Sequence, residues 1–119
     1  MITDESLIRA ACENYVRAFL SANSALMKGV FHDDALICGS IAGQDWVGDP
    51  AALAAMCDSN PPSAQEVSPG AVSILAIAGF SAAVRLDVET DAGVKFVEFF
   101  VMQKIKGDWR VVGKAFSSV

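Results

Sequence analysis

The first twenty residues carry an apolar stripe at helical spacing. Positions three or four residues apart fall on one face of a helix, and here they are Ile8, Cys12, Tyr15 and Phe19. Thr3 is suited to cap the first turn, where Asp4 and Glu5 meet the positive end of the helix dipole. The pattern therefore predicts a helix from Thr3 to Leu20.

Two shorter helices are predicted after it. Residues 21–29 form a weaker helix that carries Leu26 and Met27 and ends at Gly29. Asp49 followed by Pro50 is typical of a helix start, because proline is favoured at the first helical position. This third helix runs to about Ser59 and buries apolar side chains, which are Leu53, Met56 and Cys57.

The second half of the chain changes to the two-residue period of strands. Apolar and polar residues alternate from Ser81 to Glu89. Further strands are predicted over 35–41, 72–78, 94–106 and 109–116, and residues 41–48 form a hairpin or an irregular loop. Helices followed by strands with short turns predict an α+β domain, with helices on one face of a curved antiparallel sheet.

The composition narrows the classes of partner. Hydrophobic residues make up 53% of the chain and charged residues 19%, which favours a large shared interface or an apolar cavity. The net charge is −5 and the basic residues are scattered, so we expect no nucleic-acid partner. No apolar run approaches the roughly 20 residues that span a bilayer. We therefore expect no membrane partner.

The N-terminal residues and the cysteines favour a cytoplasmic protein. The first ten residues are acidic and polar and lack the pattern of a secretory signal. Cys12, Cys38 and Cys57 are widely spaced and odd in number, so free thiols in a reducing compartment are the simplest interpretation. We expect no metal and no cofactor.

The stretch FHDDALICGS contains the single histidine of the chain, His32, followed by Asp33 and Asp34. Histidine is suited to general base catalysis, but a base must be held within reach of its substrate. Adjacent side chains seldom converge on one metal ion. The segment is thus predicted to turn the chain and start the first strand.

Two segments carry a resemblance to a known family. The most specific segments are GVFHDDALICG and, at the expected distance, KIKGDWRVVGKAF. The chain resembles the nuclear transport factor 2-like superfamily, and within it the SnoaL-like group labelled putative lumazine-binding. The similarity runs from about Ile8 to Phe116. It implies that residues 1–119 form a single domain, a cone-shaped half-barrel in which a bent antiparallel sheet wraps around the N-terminal helix.

The resemblance also implies a homodimer through the sheet face and a pocket at the open end of the cone. The expected ligand is a small apolar or aromatic molecule. The residues predicted to line the pocket are Tyr15, Phe19, Trp46, Met56, Glu98, Phe99 and Phe116.

Ketosteroid isomerase shares this fold, so a comparison with its catalytic residues tests the hypothesis that this chain is an enzyme. Tyr15 matches its oxyanion-donating tyrosine, but Gly39 stands where the resemblance places its base. Val101 stands where it has a protonated acid. Only one of the three groups is present, so proton abstraction by that mechanism is not expected.

The sequence leaves two possible roles open for each of three side chains. Tyr15 is either a core residue with a backbone partner or a hydrogen-bond donor at the pocket floor. Glu98 lies in the apolar stretch VKFVEFFVMQ, where a charge must pair or serve a function; its pairing candidates are Arg85 and Lys114. Trp46 either covers the pocket or packs at the edge of the core.

Three hypotheses for function follow. The first is a homodimeric small-molecule-binding domain with an apolar pocket. The second is a cofactor-independent isomerase, cyclase or dehydratase acting on a hydrophobic carbonyl compound, with Tyr15 plus His32 or Glu98 as its polar groups. The third is a dimerisation module with a filled cone. An enzyme requires at least two titratable groups that converge in the pocket.

Overall fold

The computed structural model describes residues 2–68 and 70–119. The helices are α1 (Asp4–Leu20), α2 (Ser24–Val30) and α3 (Pro50–Ser59). The strands are β1 (Phe31–Ile41), β2 (Gln44–Gly48), β3 (Val72–Ala78), β4 (Ser81–Glu89), β5 (Lys95–Ile105) and β6 (Asp108–Ser118). The predicted α+β class is confirmed.

The six strands form one curved, unclosed sheet in the order β2-β1-β6-β5-β4-β3. Neighbouring strands are antiparallel except for β1 and β6, which run parallel. The last strand is thus inserted between the first strand and the β3–β5 meander. This long-range pairing joins the two halves of the chain into one sheet.

The strand β1 begins at Phe31, four residues earlier than predicted. Its register against β6 shifts between Phe31 and Leu36, so the residues between them form a β-bulge. His32 Nδ1 accepts a hydrogen bond from the Asp34 N–H at 3.1 Å. The HDD segment therefore bends an existing strand instead of forming a turn before it.

Local capping explains the helix starts. Thr3 and Ser6 form a reciprocal capping box at α1, and Asp49 accepts from the Ala52 N–H at 2.8 Å at the start of α3. Asn23 caps α2, which therefore starts three residues later than predicted and passes through Gly29 to Val30.

The hairpin between β1 and β2 confirms one of the two predictions for residues 41–48. Ala42 and Gly43 both have positive φ, 51° and 80°. Two consecutive positive φ angles are the signature of a type I′ turn, whose twist suits tight hairpins. The backbone N–H of Ala42 also donates to Ser118 Oγ at 2.8 Å, which ties the hairpin to the end of β6.

Polar contacts join the N-terminal half of α1 to strands β3, β5 and β6. Asp4 Oδ1 accepts from Trp109 Nε1 and from Lys104 Nζ, each at 3.0 Å. Arg9 Nη1 donates to the Val72 carbonyl oxygen at 2.9 Å. These contacts fix α1 across the concave face, so the residues that point from α1 into the sheet have set partners.

The two faces of the sheet differ in burial. Concave-face residues such as Ile37, Val84, Leu86 and Phe100 join the α1 residues in one apolar core. The outer face leaves large apolar side chains exposed, including Leu36, Leu75, Phe99 and Val101. Within residues 2–68 and 70–119, no helix has the length and apolar character that crossing a membrane requires.

Candidate functional site

Three polar side chains meet inside the cone. Tyr15 donates its hydroxyl hydrogen to Glu98 Oε1 and accepts from Lys114 Nζ. Lys114 Nζ also lies 2.8 Å from Glu98 Oε1, and the two side chains are only 3% and 6% exposed, respectively. We call Tyr15, Glu98 and Lys114 the buried triad.

Each member of the triad comes from a different element. Tyr15 lies on the buried stripe of α1. Glu98 points inward because β5 alternates, with Phe96, Glu98, Phe100 and Met102 on the concave side. Lys114 pairs with Phe100, and Glu98 with Phe116, so the two charges are diagonal neighbours on adjacent strands.

A β-bulge turns Lys114 inward. Val101 pairs with Gly113 and Met102 with Val111, which leaves Val112 as the extra residue of β6. Strict alternation would place Lys114 on the opposite face from Trp109 and Val111. The extra residue reverses the alternation, and Lys114 is buried on the same side as both.

Burial controls the electrostatics of the triad. It raises the pKa of Tyr15 well above its usual value near 10, and the charge of Glu98 and the hydrogen bond to it act in the same direction. Burial also lowers the pKa of Lys114 below its usual value near 10.5, against the opposing attraction of Glu98. The tyrosine is therefore a stable hydrogen-bond donor, and the lysine releases its proton more easily than an exposed lysine does.

Aromatic rings lead from the triad to the surface. Lys114 Nζ lies 4.6 Å from the centre of the Phe116 ring and 5.8 Å from that of Phe19. The Phe116 ring contacts Trp46 and Phe96, with centroid distances of 5.9 and 6.2 Å. We call these four residues the aromatic rim. Phe19, Trp46 and Phe96 are half-buried, so the rim reaches solvent.

The structure brings together five of the seven predicted pocket residues: Tyr15, Phe19, Trp46, Glu98 and Phe116. Met56 is half-buried on α3 and packs against the core. Phe99 does not join them. It lies on the outer face and is 46% exposed, because side chains of adjacent strand residues point to opposite faces.

The pairing interpretation of Glu98 is confirmed, and a functional role stays a prediction. It pairs with Lys114, one of its two predicted partners, while Arg85 pairs with Asp87 on the outer face at 3.0 Å. Tyr15 is buried as a core residue would be, but its partners are charged side chains and not the backbone. Trp46 lies at the rim and packs across Gly48.

Gly39 leaves room for the Phe116 ring. A Cβ atom at position 39 would stand 2.3 Å from Phe116 Cε1, far inside van der Waals contact. The position where the resemblance places the isomerase base is therefore filled by a phenyl ring from β6. The expectation that the isomerase mechanism is not used stays a prediction.

Sequence reasoning considered Lys114 only as a pairing partner and missed it as a site residue. A usable signal was present: Phe116 was predicted to face the pocket, and Lys114, two residues earlier, shares its side of the strand. The bulge at Val112 makes this signal ambiguous, because alternation counted from Trp109 places Lys114 on the outer face.

Other candidate groups lie apart from the triad. His32 is in the β1 bulge and its ring nitrogen bonds the local backbone. In the part of the chain that the structure describes, no three His, Cys, Asp or Glu side chains cluster closely enough to hold a metal ion. All three cysteines are free, and burial raises the pKa of Cys12 to about 12.

The curved, unclosed sheet and the N-terminal helices packed on it are the fold of nuclear transport factor 2-like proteins. The chain belongs to the family described as Putative lumazine-binding, whose model matches residues 3–117. A comparison with curated proteins gives no match.

Solved structures agree on the fold. A nuclear transport factor 2-like protein of unknown function from Silicibacter pomeroyi DSS-3 is 24% identical, with a TM-score of 0.83 over 100% of both chains. One from Shewanella baltica OS155 is 25% identical, with a TM-score of 0.74 over 100% of this chain and 98% of the other. A ketosteroid isomerase-like protein from Erwinia carotovora atroseptica is 19% identical, with a TM-score of 0.64 over 99% and 98%.

Proposed function

We propose that this chain binds a small hydrophobic molecule at the aromatic rim and recognises one carbonyl oxygen through the buried triad. The observation that carries the proposal is an ion pair and a tyrosine hydroxyl enclosed by aromatic rings. A buried ion pair is weak support for stability, since apolar residues of similar volume often do as well. A polar centre in an apolar enclosure is, in contrast, the usual design of a small-molecule site.

The triad supplies the donors that a carbonyl oxygen needs. Lys114 Nζ donates to the Tyr15 hydroxyl and lies beside Glu98, which leaves one ammonium hydrogen for a ligand oxygen. The Tyr15 hydroxyl now donates to Glu98, and a ligand oxygen would replace Glu98 as its acceptor. The rim supplies flat apolar surfaces for an aromatic or aliphatic skeleton. The ligand class is therefore an apolar or aromatic carbonyl compound, and lumazine, a ring system with two carbonyl groups, is one probe that the family description suggests.

Paired probes test this function. 2-Acetylnaphthalene and 2-ethylnaphthalene have nearly the same shape, but only the first has a carbonyl. We expect the ketone to bind more tightly to the protein in calorimetry and to raise its melting temperature. In Tyr15→Phe the affinity for the ketone should fall about five- to tenfold, the effect of roughly one hydrogen bond. The affinity for the hydrocarbon should not change.

Two outcomes would contradict the proposal. The first is that neither these compounds nor lumazine shifts the melting temperature of the wild-type protein. The second is that ketone and hydrocarbon bind equally and Tyr15→Phe affects neither. In that case the rings alone attract apolar molecules, and the triad has no part in recognition.

A cofactor-independent acid–base enzyme acting on a hydrophobic carbonyl compound is the second candidate. It is favoured by the convergence of three titratable groups, one more than such an enzyme requires. Glu98 would take a proton from the carbon next to the carbonyl, while Tyr15 and Lys114 would stabilise the oxyanion. An enzyme would exchange that proton with deuterated water, whereas a pure binder would leave it in place.

We further propose that two copies associate through the outer face of the sheet in the cytoplasm. Exposed apolar patches of this kind mark interaction sites, and free thiols suit a reducing compartment. A groove of about 590 Å³ lies on this face. Small side chains, including Cys38, Ala115 and Ser117, line it beside Phe99. Its volume is large enough to take an apolar side chain from a second copy, and Arg85 also lines it.

Phe99→Glu should convert the dimer into a monomer. A central interface residue is worth about 2 kcal/mol or more, so the dimer dissociation constant should rise at least about 30-fold. Sedimentation equilibrium measures the change. Leu7→Glu is the matched control, because Leu7 is also exposed but lies on α1. A monomeric wild-type protein, or equal effects of the two variants, would exclude this face as the interface.

A further inference from the structure

We propose that Lys114 forms a covalent imine with the carbonyl carbon of a bound aldehyde or ketone, with Glu98 and Tyr15 assisting. This inference rests on the proposed function, since the same carbonyl ligand must first enter the aromatic rim. It goes further by assigning a reaction to the lysine. The geometry that points to it is one amine held against a carboxylate and a phenol in an apolar enclosure.

Lys114 differs from every other lysine of the chain. Lys28, Lys95 and Lys106 are exposed, and Lys104 is half-buried in an ion pair with Asp4. Lys114 alone is enclosed, with Nζ 4.7 Å from the centre of the Tyr15 ring. Burial also makes its ammonium easier to deprotonate, which favours the neutral amine that attacks carbonyl carbons.

Glu98 is placed to move the protons of the reaction. Its Oε1 lies 2.8 Å from Lys114 Nζ, so it accepts one ammonium proton and leaves a neutral amine. The amine nitrogen then bonds to the carbonyl carbon, and the π electron pair moves to the oxygen, to which the Tyr15 hydroxyl donates a hydrogen bond. A second nitrogen proton passes to that oxygen and completes the carbinolamine.

The same groups complete the dehydration. Glu98, now a carboxylic acid, returns its proton to the carbinolamine hydroxyl, the carbon–oxygen bond breaks and water leaves. The nitrogen lone pair forms the carbon–nitrogen double bond. The products are a protonated imine, a water molecule and the restored Glu98 carboxylate, which pairs with the iminium charge as it did with the ammonium. No oxidant or reductant takes part.

Reductive trapping tests the inference on the wild-type protein. The protein is incubated with 2-naphthaldehyde and sodium cyanoborohydride, and the modified lysine is located by peptide mass mapping. We expect one adduct per chain, at Lys114, formed at least about tenfold faster than at any other lysine. Glu98→Gln should slow the labelling by about 100-fold, the usual contribution of a positioned proton-transfer group. Labelling spread over the exposed lysines with none at Lys114 would overturn the inference.

A parallel measurement without the reductant separates this inference from the proposed function. 2-Naphthylmethanol has the same skeleton but cannot form an imine. If both compounds raise the melting temperature and no adduct forms at Lys114, binding stands and the imine is excluded. If neither compound binds and no adduct forms, both proposals fail. Lys114→Arg keeps a positive charge beside Glu98 but has no primary amine, so the adduct should be lost.

Discussion

Replacing Lys114 by methionine should lower the free energy of unfolding by about 3–5 kcal/mol, the range observed when one partner of a buried ion pair is removed. The side chain is only 3% exposed, and its loss leaves the Glu98 carboxylate buried without a countercharge. Methionine fills much of the volume of lysine, so the effect isolates the charge and its hydrogen bonds. Urea unfolding measures it.

Lys104→Met is the matched control. Lys104 also pairs with a carboxylate, Asp4 at 3.0 Å, but those side chains are 27% and 38% exposed. Solvent-accessible pairs typically contribute 0–1 kcal/mol, so we expect Lys104→Met to change stability by about that amount. A similar small effect of Lys114→Met would contradict a buried triad and indicate that water reaches the ammonium.

Stepwise removal of the triad should restore stability. Adding Glu98→Leu to Lys114→Met removes the unpaired charge but leaves the Tyr15 hydroxyl without a partner, which costs about 1–3 kcal/mol. Adding Tyr15→Phe removes that group too. The triple variant should be as stable as the wild type or more so, because apolar replacements of buried ion pairs often stabilise.

The triple variant also separates stability from function. If it folds well but no longer distinguishes the ketone from the hydrocarbon, the polar groups are present for recognition and not for stability. If it instead remains several kcal/mol less stable than the wild type, the triad holds the fold together. The proposed binding site would then lose its main support.

Features that depend on neighbouring residues could be predicted from the sequence. The Thr3 and Asp49 caps, the stripe on α1 and the alternation that turns Glu98 inward all act within a few residues. Each leaves a periodic or positional signal. These local signals do not determine the overall fold. The prediction of the fold came from the family resemblance of two segments.

Features that depend on pairing between distant strands could not be predicted in the same way. The parallel pairing of β1 with β6 joins residues 77 to 80 positions apart, and the bulge in β1 is defined by that pairing. The bulge at Val112 is defined by the pairing of β6 with β5, and nothing in the local sequence of β6 marks it. The inward position of Lys114 follows from the second bulge. The triad could therefore be predicted only in part: the sequence indicates Tyr15 and Glu98 as site residues, and Lys114 only as a pairing candidate for Glu98.

The predicted pocket includes Phe99, although the alternation along β5 places Phe99 and Glu98 on opposite faces of the sheet. Its apolar character suited a pocket, and an outer face covered by a second copy suits it equally well. Adjacent phenylalanines on β5 thus face two different environments. This makes them a natural pair for separating the stability of the core from association at the outer face.

Phe100→Ala should lower the free energy of unfolding by about 3–5 kcal/mol, the usual range for deleting a buried aromatic side chain. The ring is 1% exposed and meets Tyr15 edge-on at 4.9 Å and Phe31 at 6.1 Å. Its removal leaves a cavity directly beneath the triad. The midpoint of urea unfolding should therefore fall at every protein concentration, because the loss is internal to one chain.

Phe99→Ala is the control on the next residue. Its ring is 46% exposed, so within a single chain the substitution should change stability by no more than about 0.5 kcal/mol. If the outer face joins two copies, Phe99→Ala also weakens the dimer, and its effect on the unfolding midpoint should grow with protein concentration. Equal, concentration-independent losses in the two variants would mean that both rings are core residues, and the assignment of the two faces of the sheet would be wrong.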